Sequence, residues 1–99
     1  MNIELMHKNV EQASMLLKSL ANPNRLLVLC ALVTREYTAG ELEQLTGLSQ
    51  SAISQHLARL RDEQVVATRR EAQRIYYSLS SAEVAAVIET LHGIYCVEP

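Results

Sequence analysis

The chain has 99 residues, enough for one domain with a modest core and too few for two. Its hydrophobic content of 48% is ordinary for a globular protein, and no apolar run approaches the length of a membrane span. The amino terminus lacks a cationic, apolar leader, so we expect a soluble cytoplasmic protein without a membrane partner, formed by a single domain over residues 1–99. Two cysteines in such a chain favour reduced thiols over a structural disulfide.

Two helices are predicted first along the chain. Residues 3–20 carry apolar side chains at steps of three and four with no Gly or Pro, which indicates an amphipathic helix. Asn22 suits the N-cap of a second helix, and Pro23 suits its first position because a missing N–H costs nothing there. The second helix, residues 25–33, is apolar on every side and is expected to form the buried centre of the domain.

A helix-turn-helix is predicted next. Thr38 and Glu41 have the spacing of a capping box, which opens its first helix. Gly47 suits the turn, and Ser49 suits the cap of the second helix over residues 48–61. The chain is therefore expected to run helix, tight turn, helix over this stretch.

The second helix of this pair has an apolar side and a polar side. Ile53, Leu57 and Leu60 share the apolar side. The opposite side carries hydroxyl, amide and guanidinium groups, which can hydrogen-bond to base edges in the major groove of DNA; an ordinary solvated helix face is the alternative. His56 lies beside the apolar sector, so it either supports the helix or joins the DNA contacts. The predicted contacts are Gln50, Ser51, Ser54, Gln55 and Arg59, with His56 as a further candidate.

After residue 64 the pattern changes to an alternation of two. Residues 65–70 and 74–79 are rich in β-branched and aromatic side chains and predict two strands joined at residues 71–73. Residues 59–74 hold five arginines against three acidic residues, a charge of +2, whereas the remainder holds four basic and eight acidic residues, a charge of −4. A salt-bridged surface would explain this cluster, but a basic hairpin directly after a recognition helix indicates a wing. The predicted wing contacts are Arg69, Arg70, Gln73 and Arg74, with Arg70 and Arg74 at phosphate or in the minor groove.

The last predicted helix is opened by Ser80 and Glu83, which have capping-box spacing. Its apolar stripe over residues 84–95 is wider than a small domain needs, and the first helix has a similar stripe. Packing inside one monomer is the alternative, but the two stripes favour a homodimer formed through the first and last helices, which a major-groove reader usually requires. The expected fold is mainly α with a small β-hairpin (α+β), a winged helix-turn-helix.

This order of elements, with the segments LANPNRL at residues 20–26 and LSQSAISQHL at residues 48–57, resembles the ArsR/SmtB family of winged-helix repressors. The resemblance covers nearly the whole chain. It implies a homodimer that binds a palindromic operator in double-stranded DNA and leaves it when an inducer is sensed.

The chain departs from the metal sensors of that family. Where arsenic and cadmium sensors carry a Cys-x-Cys type cluster, this chain reads ELEQL at residues 41–45, and the Asp and His ligands of the zinc sensors are missing from the last helix. We therefore predict no metal and no cofactor. A residual site formed by Cys30, His92 and Cys96 stays open as the alternative of a metal-responsive repressor.

The two cysteines resemble those of another branch of the family, which is associated with thiol oxidation and with sulfide or persulfide sensing. Cys30 alone is typical of a small core residue, but Cys96 and the segments REAQ at 70–73 and LHGIYC at 91–96 resemble that branch. The resemblance implies that the reduced dimer binds DNA and that a disulfide or polysulfide bridge between Cys30 and Cys96 releases it. The expected inducer is a reactive sulfur species or an oxidant.

Two other classes of function are less well supported by the sequence. No nucleophile elbow, phosphate loop or acid pair accompanies the cysteines and histidines, so we do not expect an enzyme. A winged helix used only for protein contacts would more often present aromatic or aliphatic anchors than the polar residues 50–59.

Overall fold

Residues 1–96, which the computed structural model describes, form five helices and three strands. The predicted class, mainly α with a small hairpin, is confirmed. The helices are α1 (Ile3–Leu20), α2 (Pro23–Thr34), α3 (Ala39–Thr46), α4 (Gln50–Asp62) and α5 (Ala82–Tyr95), and the strands are β1 (Tyr37–Thr38), β2 (Val66–Glu71) and β3 (Arg74–Leu79).

Local hydrogen bonds fix the starts of the middle helices. Asn22 caps α2 by accepting from the N–H groups of Asn24 and Arg25, at 3.0 and 3.1 Å. The capping box at α3 is complete, because the Thr38 hydroxyl accepts from the Glu41 N–H and the Glu41 carboxylate accepts from the Thr38 N–H. Gly47 takes the left-handed conformation between α3 and α4, with φ of 75°, which is where glycine is favoured. The turn and both flanking helices are thus determined by residues close in sequence.

The cap of α5 lies one residue later than its sequence spacing indicated. Ser81 accepts from the N–H of Val84 at 3.2 Å, so the capping box built on Ser80 was wrong. Ser80 is used elsewhere, since its hydroxyl donates to the Gln64 carbonyl at 2.7 Å and its N–H donates to the Val65 carbonyl at 3.0 Å. These bonds join the residue after the last strand to the loop that follows α4.

The three strands form an antiparallel sheet in the order β1-β3-β2. The sequence pattern did not predict β1, because two residues are too few to show an alternation; it pairs Tyr37 with Tyr77. The pairing of Glu71 with Arg74 leaves a two-residue loop at the hairpin tip, and its first residue, Ala72, has a φ of 55°. The hairpin predicted as a wing is present with a tight turn.

The core lies around α2, as expected from its apolar surface. Val28 and Leu29 are fully buried and belong to one core cluster with side chains from α3, α4, α5 and the start of β2. By contrast, only Ser19 and Leu20 of α1 are buried. The buried apolar side chains that complete the core are Leu20, Leu32, Leu42, Ile53, Leu57, Leu60, Val65, Val66, Val84 and Ile88.

Membrane-spanning potential is low in the described part of the chain. No single helix there is long and apolar enough to cross a bilayer, and only α1 and α2 together, with a bend of 100° between them, reach the length and composition required.

A polar network joins the carboxyl end of α1 to that of α4. Arg25 is 6% exposed and donates to the Ser19 carbonyl at 2.8 Å, so it satisfies a carbonyl at the end of α1. The Ser19 hydroxyl donates to Glu63, which also accepts from Arg59 at 3.0 Å. The Ser19 hydrogen bond lowers the pKa of Glu63, and the charges of Arg59 and Arg25 lower it further against the opposing effect of burial. Glu63 is thus stabilised as a carboxylate where α4 meets the amino-terminal helices.

Replacing Glu63 with glutamine is expected to lower the free energy of unfolding at pH 7 by about 1 kcal/mol. A carboxyl group whose pKa is lowered by folding contributes stability that is complete above its usual pKa of about 4.3 and is lost as the pH falls through the folded value. The Glu63→Gln protein should therefore lose less stability than the parent below about pH 4.5. Denaturant unfolding from pH 3 to 7 measures this, with Glu89→Gln, an exposed carboxylate on α5, as the control. If Glu63→Gln lost as much unfolding free energy as the parent below about pH 4.5, the prediction would be wrong.

Candidate functional site

The outward face of α4 is polar and exposed in the structure. Ile53, Leu57 and Leu60 anchor the helix in the core, which turns the opposite side to solvent. His56 is only half-buried, between the two sides. Gly47 ends α3, and the Ser49 hydroxyl starts α4 by accepting from the N–H of Ala52 at 3.1 Å. These two caps place the start of α4 directly after α3. The exposed side chains of this face are Gln50, Ser51, Ser54, Gln55 and Arg59.

The tip of the β2–β3 hairpin presents a second polar surface. Arg70, Gln73 and Arg74 are exposed, and the Arg70 Nε donates to the Ala72 carbonyl at 3.1 Å within the tip. Because residue 65 directly follows α4 and its loop, the hairpin leaves the core beside the end of that helix. The predicted helix and wing residues therefore lie on consecutive elements, α4 and the hairpin that follows it. We call the surface formed by their exposed residues the α4–wing surface; its members are Gln50, Ser51, Ser54, Gln55, Arg59, Arg70, Gln73 and Arg74.

Two of the predicted cationic contacts are already paired with carboxylates. Arg59 donates to Glu63, four residues along α4, and Arg69 donates to both Glu36 and Glu71. The partner Glu36 was missed by sequence reasoning because 33 residues separate it from Arg69 and no local pattern connects them. The Arg69 pairing lowers the pKa of Glu36, so this carboxylate stays charged at neutral pH.

Cys30 and Cys96 are free thiols whose side chains are neighbours. Cys30 is half-buried on α2, and Cys96 is exposed directly after α5, where its N–H donates to the His92 carbonyl at 2.8 Å. Burial raises the pKa of Cys30, and the nearby Cys96 raises it further. The fold thus brings together two thiols that are 66 positions apart in the sequence.

The metal alternative has no ligand set in residues 1–96. No group of three His, Cys, Asp or Glu side chains there is arranged to hold an ion, and this includes Cys30, His92 and Cys96. A site with only two side-chain ligands falls short of the three or four that zinc takes from proteins.

Apolar side chains are also exposed on the first and last helices. On α1, Leu17 is 62% exposed and Met15 66%, and on α5 Ile94 is 64% exposed. Isolated apolar side chains on a surface are ordinary, but those of α1 are exposed at intervals along almost the whole helix, from Ile3 to Leu17. The other large apolar residues exposed on these helices are Ile3, Leu5, Met6, Val10 and Tyr95.

These features define a class of protein: a helix-turn-helix with an exposed polar second helix, followed by a hairpin with a basic tip, is a winged helix-turn-helix of the DNA-binding type. Comparison with known proteins gives the family. Residues 22–68 match the model of the arsR family of bacterial regulatory proteins. The chain is 53% identical over 96 residues to the transcriptional activator HlyU of Vibrio cholerae, which covers 97% of this chain and 89% of that protein.

Solved structures agree with this assignment. Reduced HlyU from Vibrio cholerae has a TM-score of 0.88 at 52% identity, covering 95% of this chain and 99% of that one. The transcriptional repressor BigR from Xylella fastidiosa has a TM-score of 0.86 at 40% identity, covering 99% and 100%. The chain belongs to the arsR family and is a DNA-binding transcriptional regulator of the HlyU and BigR type, not an enzyme.

Proposed function

We propose that the chain is a homodimeric regulator that binds a palindromic DNA operator while its cysteines are reduced and leaves the operator when sulfur joins Cys30 to Cys96. The observation that carries this proposal is the proximity of a half-buried thiol on α2 to an exposed thiol directly after α5, the helix that packs on α2. The inducer is a reactive sulfur species or an oxidant. The regulator acts in the bacterial cytoplasm, beside the DNA and among reduced thiols.

The α4–wing surface is the proposed DNA interface. In this proposal α4 enters the major groove, where Gln50, Ser51, Ser54 and Gln55 contact base edges. His56 is half-buried, and in this proposal it supports the helix beside the residues that contact the bases. Arg59 extends the helix contact at its carboxyl end. At the wing, Arg70, Gln73 and Arg74 contact the backbone or the minor groove, which positions the protein more than it specifies the sequence.

The exposed apolar faces of α1 and α5 are the proposed dimer interface. One short recognition helix makes few base contacts, so a two-fold axis that places two such helices about one DNA turn apart is the usual arrangement. An operator read in this way is palindromic. The apolar stripe along α1 is otherwise unexplained, because only its last two residues are buried within the protomer.

Exposed Cys96 is the proposed first nucleophile, since Cys30 is less accessible and its raised pKa leaves less thiolate at neutral pH. With a hydropersulfide R–S–SH, the Cys96 thiolate attacks the terminal sulfur and expels the R–S⁻ thiolate, which leaves a persulfide on Cys96. The Cys30 thiolate then attacks Cys96 Sγ and expels HS⁻. In sum, two thiols and R–S–SH give a disulfide, R–SH and H₂S, so the cysteines lose the two electrons that the outer sulfur gains.

A longer bridge follows from the same chemistry. If the Cys96 persulfide attacks a second R–S–SH at its terminal sulfur and expels R–S⁻ before Cys30 attacks, attack of Cys30 on the middle sulfur expels HS⁻ and leaves one sulfur atom between the two cysteines. Either bridge ties α2, which supports α4 through the core, to α5, which carries part of the proposed dimer interface. The tie changes the spacing of the two recognition helices, and that change is the proposed cause of release.

Replacing Gln55 with alanine is expected to weaken binding to the operator about 5- to 150-fold, because a good base contact contributes about 1–3 kcal/mol. Binding to unrelated DNA should change little, since it depends on phosphate contacts. Fluorescence anisotropy with a duplex from the region upstream of the gene for this chain measures both. The matched control is Gln12→Ala, an exposed glutamine on α1 outside the α4–wing surface. Equal affinity of the parent and Gln55→Ala proteins for the operator would exclude this base contact.

A further inference from the structure

The side chain of Arg69, a wing residue, is held by two carboxylates, Glu71 on the wing and Glu36 outside it. Each of its three guanidinium nitrogens donates to one of them: Nε to Glu36 at 2.8 and 3.0 Å, Nη1 to Glu71 at 2.9 Å, and Nη2 to Glu36. Its guanidinium carbon lies 4.4 Å from the centre of the Tyr76 ring, directly across the sheet pairing. Pairing and stacking together fix the orientation of this side chain.

The charge of this cluster disfavours a phosphate contact. One guanidinium and two carboxylates carry a net charge of −1, so the group as a whole repels an anionic backbone. Neighbouring residues of a strand also point to opposite faces, which places Arg69 and Arg70 on different faces of the hairpin, whereas Arg74, paired with Glu71, lies on the face of Arg69. Arg70 and Arg74 have no carboxylate partner within 4.0 Å among residues 1–96.

Glu36 gives the cluster its anchor outside the hairpin. It lies between the end of α2 and the start of β1, so its bonds to Arg69 join the wing to the helical body of the domain. The adjacent Arg35 connects the same segment to α3. It pairs with Glu41 of α3 at 3.3 Å and stacks on Tyr37 at 3.9 Å. The wing is thereby fixed relative to α3, the first helix of the helix-turn-helix.

We propose that Arg69 is the positioning residue of the wing: Glu36 holds it away from the DNA, and their contact sets the angle at which Arg70 and Arg74 meet the duplex. This proposal rests on the proposed DNA interface. It removes Arg69 from the direct contacts that the sequence pattern suggested. It also gives Glu36, which has no predicted role, a part in DNA binding.

The test is the salt dependence of DNA binding by the full chain, measured on the upstream duplex between about 50 and 200 mM salt. The slope of log K against log salt is negative, and removing one phosphate contact lowers its magnitude by about 0.9; by a lower slope we mean this smaller magnitude. Arg70→Gln and Arg74→Gln are expected to lower the slope. Arg69→Gln is expected to leave the slope unchanged and to weaken binding at fixed salt by roughly two- to fivefold, the range of an exposed ion pair.

Two further variants separate positioning from direct contact. Arg69→Lys keeps the charge but loses the planar fork, so it is expected to bind as weakly as Arg69→Gln; binding like the parent would show that charge alone matters and would contradict the positioning role. Arg69→Glu should weaken binding more than Arg69→Gln. Adding Glu36→Arg should recover part of that loss, because the pair with residue 36 is reformed with its charges exchanged, while Glu71 stays without its cationic partner. Circular dichroism spectra of all variants confirm that they fold.

The outcomes distinguish this proposal from the interface on which it rests. A drop in slope for Arg69→Gln equal to that for Arg70→Gln would overturn the positioning role and leave the interface intact. Failure of the added Glu36→Arg to recover any of the affinity lost in Arg69→Glu would also overturn it. Unchanged slope and affinity in both Arg70→Gln and Arg74→Gln would instead show that the wing does not contact DNA, and both proposals would fail.

Discussion

Replacing Cys30 or Cys96 with serine is expected to leave operator binding by the reduced protein unchanged and to abolish its release by organic polysulfide. Either substitution removes one of the two sulfur atoms that the bridge joins. A coupling of about 3 kcal/mol between bridge formation and DNA binding corresponds to a roughly 150-fold loss of affinity in the parent. Anisotropy titrations before and after treatment measure this ratio, which should be close to one in both variants.

A third variant controls for packing at the half-buried position. Cys30→Ala avoids placing a hydroxyl next to the core and should behave like Cys30→Ser. If Cys96→Ser were still released by polysulfide, the pair would not be the switch. Weak binding of every reduced variant would instead show that the thiols support the fold.

Replacing Leu42 with alanine is expected to lower the free energy of unfolding by about 3–5 kcal/mol. Leu42 is 0% exposed on α3 and contacts the core that α2 and α4 share. Truncation removes apolar area from the interior and leaves a cavity there. A domain of this size has about 5–15 kcal/mol of stability, so the loss would be a large fraction of the total. Chemical denaturation of the reduced protein measures it.

The same helix provides the matched control. Leu45, three residues further along α3, is 57% exposed, so Leu45→Ala should change the free energy of unfolding by about 0.5 kcal/mol or less. Equal losses in the two variants would contradict the burial that the structure assigns to this helix.

Features determined by nearby residues could be predicted from the sequence. The capping box of Thr38 and Glu41 and the turn at Gly47 act over three or four residues, so their spacing is enough to place α3 and α4. The two sides of α4 follow from helical periodicity in the same way. Where two adjacent serines offered alternatives, the local pattern did not suffice, because the distant Gln64 carbonyl takes Ser80 and leaves the cap to Ser81.

Contacts between distant segments could not be predicted. The sequence shows five arginines near the recognition helix, but it does not show that Glu36 pairs with Arg69 over 33 residues or that Ser19 bonds Glu63 over 44. These partners come together only after α1, α2 and the sheet have packed. The cysteine pair was expected from a family resemblance and not from spacing. Its contact depends on the packing of α5 against α2.

The most direct test of the thiol switch is a mobility shift of the parent protein on its upstream duplex, with the peptide masses of each sample measured in parallel after digestion without reductant. Reduced, polysulfide-treated and zinc-treated protein are compared. We predict a shifted duplex with reduced and zinc-treated protein, and release by polysulfide together with a cross-linked peptide containing Cys30 and Cys96. Release by zinc alone, or release by polysulfide without a mass change on that peptide, would contradict the switch.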